Sequence, residues 1–241
     1  MNFTPLHVYS GYSFQKSGLK IDAFLDECKK RGLTTVGISE YETLTSAPAF
    51  FHEAQKRGLK PIIGEDYEVD NLLFSFFVLN ETGYKNLLKL GLEIKNEKAT
   101  VETIREYQEG LAIVLTTKQD RLITSLNTDE QTFARKFAKV TRGLENFYIG
   151  VDYNDDIQNC DHFREFAFSH GYKLIAFPWI KYVKKEDAII LEMMRAIETK
   201  EVLEVKELSG NDCVPEEQTL TDFYKESEIS ALEEIVSKVD F

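Results

Sequence analysis

The chain has 241 residues and a formal net charge of −12, with 43% hydrophobic and 29% charged residues. That apolar share supports one substantial core or two small ones and excludes an intrinsically disordered chain. The acidic balance argues against a free-standing nucleic-acid binder, which presents a basic face to phosphate, although a local basic patch stays open.

The N-terminus, Met1-Asn2-Phe3-Thr4-Pro5, lacks the basic and apolar regions of a signal peptide. Leu6–Tyr9 predicts a first short strand. Ile21, Phe24, Leu25 and Cys28 fall at helical spacing, and Thr34–Ser39 follows as a strand. Pro61–Val69, Leu72–Leu79 and Leu111–Thr116 predict three more strands. Phe133, Phe137 and Val140 mark a helix before the strand Phe147–Tyr153. Phe163, Phe166 and Ala167 mark another before the strand Lys173–Phe177. Lys200 to Glu217 is the weakest stretch structurally. Thr219 to Val239 reads as an acidic helix that Thr221 or Asp222 would cap. The chain ends at Val239-Asp240-Phe241 with no tail, as a segment of a longer protein would.

Most of the strand runs are continuously apolar, which suits strands buried on both faces of a parallel sheet. One junction occurs three times: Lys30-Arg31-Gly32-Leu33, Lys56-Arg57-Gly58-Leu59 and Ser169-His170-Gly171-Tyr172. Each closes a helix with cations at the negative end of its dipole and a glycine that stops it, then opens a strand. Three such junctions imply a repeating βα architecture, either an α/β barrel or an open doubly wound sheet. The longest apolar run, Leu72 to Leu79, is broken by Ser75 and is far too short to span a bilayer. The three cysteines, Cys28, Cys160 and Cys213, form no CxxC pair, which argues against a disulfide framework or zinc knuckle and for a reducing compartment. The expectation is a cytoplasmic protein with no membrane partner.

Phosphate loops of the GxGxxG or GxxxxGK[ST] type are absent, as are the GxSxG elbow and HExxH. The histidines, His7, His52, His162 and His170, are far apart; the last three read as ordinary surface residues, and His170 suits a helix end. His7 lies at the C-terminal end of the predicted first strand, where α/β barrels place their chemistry. Its plain alternative is a packed or hydrogen-bonded strand histidine.

Around His7 the run Pro5-Leu6-His7-Val8-Tyr9-Ser10-Gly11-Tyr12-Ser13 resembles HLHVHSEYS, the opening of the PHP (polymerase and histidinol phosphatase) domains of bacterial DNA polymerase III alpha subunits. Gly37 to Ala47 resembles the family's ALTDHGNLFGA, and Lys60 to Asp66 its KPIIGCE. Leu79 to Leu90 is similar to LAKNETGYKNLLKL, and Arg105 to Leu111 to REYQEGL. Ala176 to Asp187 is similar to ATNDVHYLRPED. The resemblance spans nearly the whole chain, and the ETGYKNLLKL block marks the polymerase branch rather than small phosphatases. It implies a distorted seven-stranded TIM-like (β/α)7 barrel over residues 1–200. Residues 201–241 would then lead, through the acidic helix, toward polymerase domains.

The family holds up to three divalent metals on the barrel rim with His, Asp and Glu. By the resemblance, His7 is the one ligand kept and Asp66 a conservative replacement for Glu. Glu40 stands where the family has Asp. Tyr9, Lys16, Tyr41, Trp179 and Lys181 stand at positions of lost ligands. Ammonium groups oppose a dication by several kcal/mol at short range. The rim is therefore expected to be vestigial, with no metal, cofactor or catalytic residue, and with Lys16 or Lys181 paired to Asp66 or Glu40. The function implied is that of a structural and interaction domain in DNA replication. Its partners would be the remaining domains of the alpha subunit and other replication proteins, with DNA reached through the parent protein. The parent would be a DNA-directed DNA polymerase, a nucleotidyltransferase using Mg. The rival is a metal-dependent phosphoesterase or 3′–5′ proofreading exonuclease, with Zn or Mn at a residual site on His7 and Asp66.

Overall fold

The computed structural model describes residues 3–96, 99–117, 126, 129–200, 202 and 211–240. Six strands form one sheet in sequence order: β1 (Thr35–Tyr41), β2 (Lys60–Val69), β3 (Leu72–Val78), β4 (Leu111–Thr116), β5 (Phe147–Val151) and β6 (Leu174–Ala176). The sheet curls into a half-barrel. Helices α1 (Ile21–Lys30), α2 (Ala47–Lys56), α3 (Glu81–Lys95), α4 (Val101–Tyr107), α5 (Glu130–Thr141) and α6 (Ile157–His170) connect the strands. After β6 come α7 (Ala188–Thr199), α8 (Glu217–Phe223) and α9 (Glu226–Lys238).

The three junction glycines, Gly32, Gly58 and Gly171, all have positive φ (78°, 73° and 74°). Each ends a helix and releases the chain into β1, β2 or β6, as the repeated junction requires. The buried faces of α1, α5 and α6 centre on Phe24, Leu25 and Cys28, on Phe133 and Phe137, and on Phe163, Phe166 and Ala167. They pack on the outward side of the sheet with Ile38, Phe74, Phe76 and Ile113.

Three expectations change. The sheet is not all parallel: β3 runs antiparallel to both β2 and β4. The cause is the two-residue turn Asp70-Asn71, both in the left-handed region (φ 53° and 61°), which folds β3 straight back on β2. The expected first strand reduces to a single bridge, Val8 with Ile180. Pro5 lacks an N–H, and Val8 N bonds locally to Leu6 O. Three residues are spent between Pro5 O and Val8 O, against two between their β1 partners Gly37 N and Ser39 N, so a regular ladder is lost. The segment still touches both sides of the opening: it bonds to β1 on one side, and to Ile180 through Tyr9 N→Ile180 O and Ile180 N→His7 O on the other. Finally, the acidic C-terminal helix is two helices, broken at Tyr224-Lys225, with Lys225 rather than Thr221 or Asp222 at the N-cap of α9. Half of the weak stretch from Lys200 to Glu217, residues 201 and 203–210, lies outside the described residues.

The inward side of the half-barrel is a second core, containing Leu6, Ile62, Phe77, Val114, Tyr148, Ile175 and Phe177. Leu220, Tyr224, Ile229, Leu232 and Ile235 of α8, α9 and their junction complete it. Leu220, Phe223, Leu232, Ile235 and Val236 would form an exposed stripe if α8 and α9 packed on a separate domain; instead Leu220, Leu232 and Ile235 are buried in this core, and Phe223 and Val236 are half-buried against it. Burial of each such side chain contributes about 1.5–3 kcal/mol. The end of α9 lies under the N-terminal ends of the parallel strands. There Lys60 Nζ reaches Val239 O, Lys238 Nζ reaches Asn146, and Lys173 Nζ pairs with Glu234.

Candidate functional site: an aromatic rim around His7 and Asp66

Asp66 projects from β2 into the half-barrel beside the Pro5–Tyr9 segment. Its Oδ2 accepts from the Tyr9 hydroxyl at 2.8 Å and lies 2.9 Å from His7 Nε2. The His7 ring is sandwiched between Phe177, at 4.4 Å between centroids, and Trp179, at 4.8 Å, both nearly parallel to it. Tyr9 meets Trp179 edge-on at 5.1 Å and lies 6.4 Å from Tyr41. Desolvation, with Asp66 beside it, holds the Tyr9 phenol well above its usual value, so it stays a hydrogen-bond donor. Burial, followed by Glu42, pushes Tyr41 up to about 12.

The two lysines cap this aromatic group from outside. Lys16 Nζ stands 4.1 Å from the Tyr41 centroid and Lys181 Nζ 3.9 Å from that of Trp179. The expected pairing of these lysines with Asp66 or Glu40 is corrected: Lys181 pairs with Asp212 at 3.0 Å, and Lys16 lies over a ring. Geometry explains the difference. Asp66 is held by His7 and Tyr9 inside the barrel, and Glu40 is buried on the other face of β1, among serines. The Glu40 carboxylate accepts from the hydroxyls of Ser10, Ser13 and Ser46 and from Ser10 N. It thereby ties the loop after Tyr9 to the start of α2.

The structure thus brings together seven of the eight residues singled out by sequence, namely His7, Tyr9, Asp66, Trp179, Tyr41, Lys16 and Lys181. Glu40 is set apart in its own hydroxyl cluster. Sequence reasoning missed Phe177, the second face of the His7 sandwich. It also missed Ser10, Ser13 and Ser46, the partners of Glu40, and Asp212, the partner of Lys181. Phe177 and Trp179 were legible as neighbours in one run; Asp212 comes from the stretch that carried no pattern.

These residues do not fit a divalent metal. Among the described residues no group of three or more His, Cys, Asp or Glu side chains is placed to hold one. His7 and Asp66 are two donors where a protein site usually supplies three or more. The positions beside them are filled by the rings of Tyr9, Phe177 and Trp179, with the ammonium groups of Lys16 and Lys181 over rings outside them, and Glu40 has its oxygens committed to hydroxyls.

Residues 5–153 match the PHP domain in a comparison with known protein families. The chain belongs to the PHP domain family. DNA polymerase III subunit alpha of Streptococcus pyogenes serotype M3 is 25% identical to this PHP domain over 98% of the chain. The Staphylococcus epidermidis protein of the same name is 25% identical over 45% of it. The chain spans only about a fifth of the streptococcal relative's length (21%). Among solved structures, an amidohydrolase from Chromobacterium violaceum aligns with a TM-score of 0.57 at 10% identity, covering 99% of this chain and 97% of that one. A metal-dependent phosphoesterase from Bifidobacterium adolescentis aligns with 0.52 at 9%, covering 91% and 94%. At such identities the likeness is one of fold. Among the described residues no helix is long and apolar enough to cross a membrane.

Proposed function

We propose that this PHP domain serves a replicative DNA polymerase alpha subunit as a metal-free scaffold and interaction domain. The similarity of 98% of this chain to part of polymerase alpha subunits supports the parent. The single observation that carries the metal-free reading is the His7 ring closed between Phe177 and Trp179, with its Nε2 turned to an Asp66 that Tyr9 also holds. In this reading Leu6–Tyr9 acts as the seventh strand of a distorted barrel over residues 1–200, and residues 201–241, whose α8 and α9 pack into its inward core, lead on toward the polymerase domains. Nucleotidyl transfer and its Mg belong to those domains, in the cytoplasm, and DNA and the other replication proteins are met through them.

The rival, a metal-dependent phosphoesterase or 3′–5′ exonuclease using Zn or Mn, is favoured by one observation, the 2.9 Å approach of His7 to Asp66. Trp179, the only tryptophan, stacks on His7 and reports on both readings. Titrating Zn or Mn should leave its fluorescence without a saturable change. Neither p-nitrophenyl phosphate nor a 3′-labelled single-stranded oligonucleotide should be hydrolysed. A saturable fluorescence change with turnover would establish the rival.

A further inference from the structure

Three oxygens on the inward side of the half-barrel have no hydrogen-bond partner among the described residues: Ser39 Oγ, Asp66 Oδ1 and Ser75 Oγ. All three side chains are completely buried. The strand register places them together. Asp66 of β2 lies directly opposite Ser75 of β3. Ser39 of β1 lies opposite Gly64, two residues from Asp66 on the same face, and the Phe77 ring fills the space that a side chain at Gly64 would take. Directly opposed residues of an antiparallel pair have Cβ atoms about 4.5–5.5 Å apart. A carboxylate and a hydroxyl at that spacing that do not bond directly leave a gap one water molecule spans.

The lining decides between a dry gap and a wet one. Dry internal cavities are apolar; polar ones hold waters that bond to groups otherwise left without partners. The other Asp66 oxygen is already served by His7 and the Tyr9 hydroxyl. A neutral ligand that donates to Oδ1 and accepts from a serine hydroxyl completes the set. We propose that Asp66 and Ser75 hold an ordered internal water between them. This water fixes the Asp66 carboxylate beneath the aromatic group at the rim. The inference is independent of the parent protein proposed above.

Ser75→Ala separates the possibilities by the sign of its effect on the melting temperature of the 241-residue chain. Removing a hydroxyl that binds a water should lower Tm by about 2–4 °C. Removing an orphaned hydroxyl relieves a desolvation penalty and should raise Tm or leave it unchanged, which would overturn the proposal. Should Ser75→Ala not fold, the ordered solvent of the native chain decides. A crystal structure that resolves ordered solvent should show density within about 2.7–3.0 Å of both Asp66 Oδ1 and Ser75 Oγ. A dry gap there, or a cation coordinated at shorter distances, would contradict it.

Discussion

At the C-terminal ends of the strands the half-barrel is closed by His7, Tyr9, Phe177 and Trp179 around a buried carboxylate, with Lys16 and Lys181 outside. Where α8 and α9 cover the opposite end and the open side, the centre is aliphatic and aromatic, and most charges stand at the periphery, as in Lys173–Glu234 and Lys60 to Val239 O. The exception is Arg164 of α6, which pairs with Glu228 of α9 at 2.7 Å with both side chains buried. The difference teaches where each kind of residue does its work. Apolar burial secures the covered side, while the rim keeps costly buried polar groups that stability alone would not select.

The largest expected effect breaks the covered side. Arg164→Ala leaves Glu228 buried without its cation and should destabilise by about 3–5 kcal/mol in chemical denaturation. The Trp179 emission of the folded protein should stay unchanged, because the rim is untouched.

Next comes Glu65, the neighbour of Asp66 on the opposite face of the strand. Burial pushes its carboxyl up to about 7, above the unfolded value of 4.5, with opposing contributions from Tyr67 and Lys95. A raised folded value favours the protonated folded state. The stability it contributes is therefore complete below about pH 4.5 and lost as pH rises through about 7. The loss is on the order of 3 kcal/mol. Unfolding free energies measured from pH 4.5 to 8 should fall by that amount in the native chain, and Glu65→Gln should remove most of the slope.

Tyr9→Phe sharpens the comparison from the rim. It removes a hydrogen bond to the Asp66 carboxylate and should cost about 2 kcal/mol, with a change in Trp179 emission, since Tyr9 meets that ring edge-on. Smallest is Lys16→Ala, which removes a cation over Tyr41 and should cost about 0.5–1 kcal/mol or less, read from the shift in denaturation midpoint.

Much of this was legible in the chain. The three glycine junctions gave the ends of α1, α2 and α6, and the apolar runs located all six strands. Several features escaped because apolar periodicity does not carry their causes. The reversal of β3 rests on Asp70-Asn71, a turn that two adjacent strand runs did not advertise. The single bridge at Val8 comes from the lost donor of Pro5 and an extra residue against β1. Helix α3, capped by Asn80 accepting from Gly83 N, sits in the block that resemblance singled out, not periodicity. At the site, the aromatic residues singled out by sequence do surround His7 and Asp66, whereas the two lysines lie over rings outside them. The partners of the two lysines could not be read, because Asp212 and the Tyr41 ring are set by tertiary geometry.

The central claim is that the rim binds no metal. Elemental analysis of the purified chain after dialysis against Zn, Mn and Mg tests it most directly. The account predicts far less than one equivalent of any of them per chain. One or more tightly held ions would contradict it and make His7 and Asp66 metal ligands.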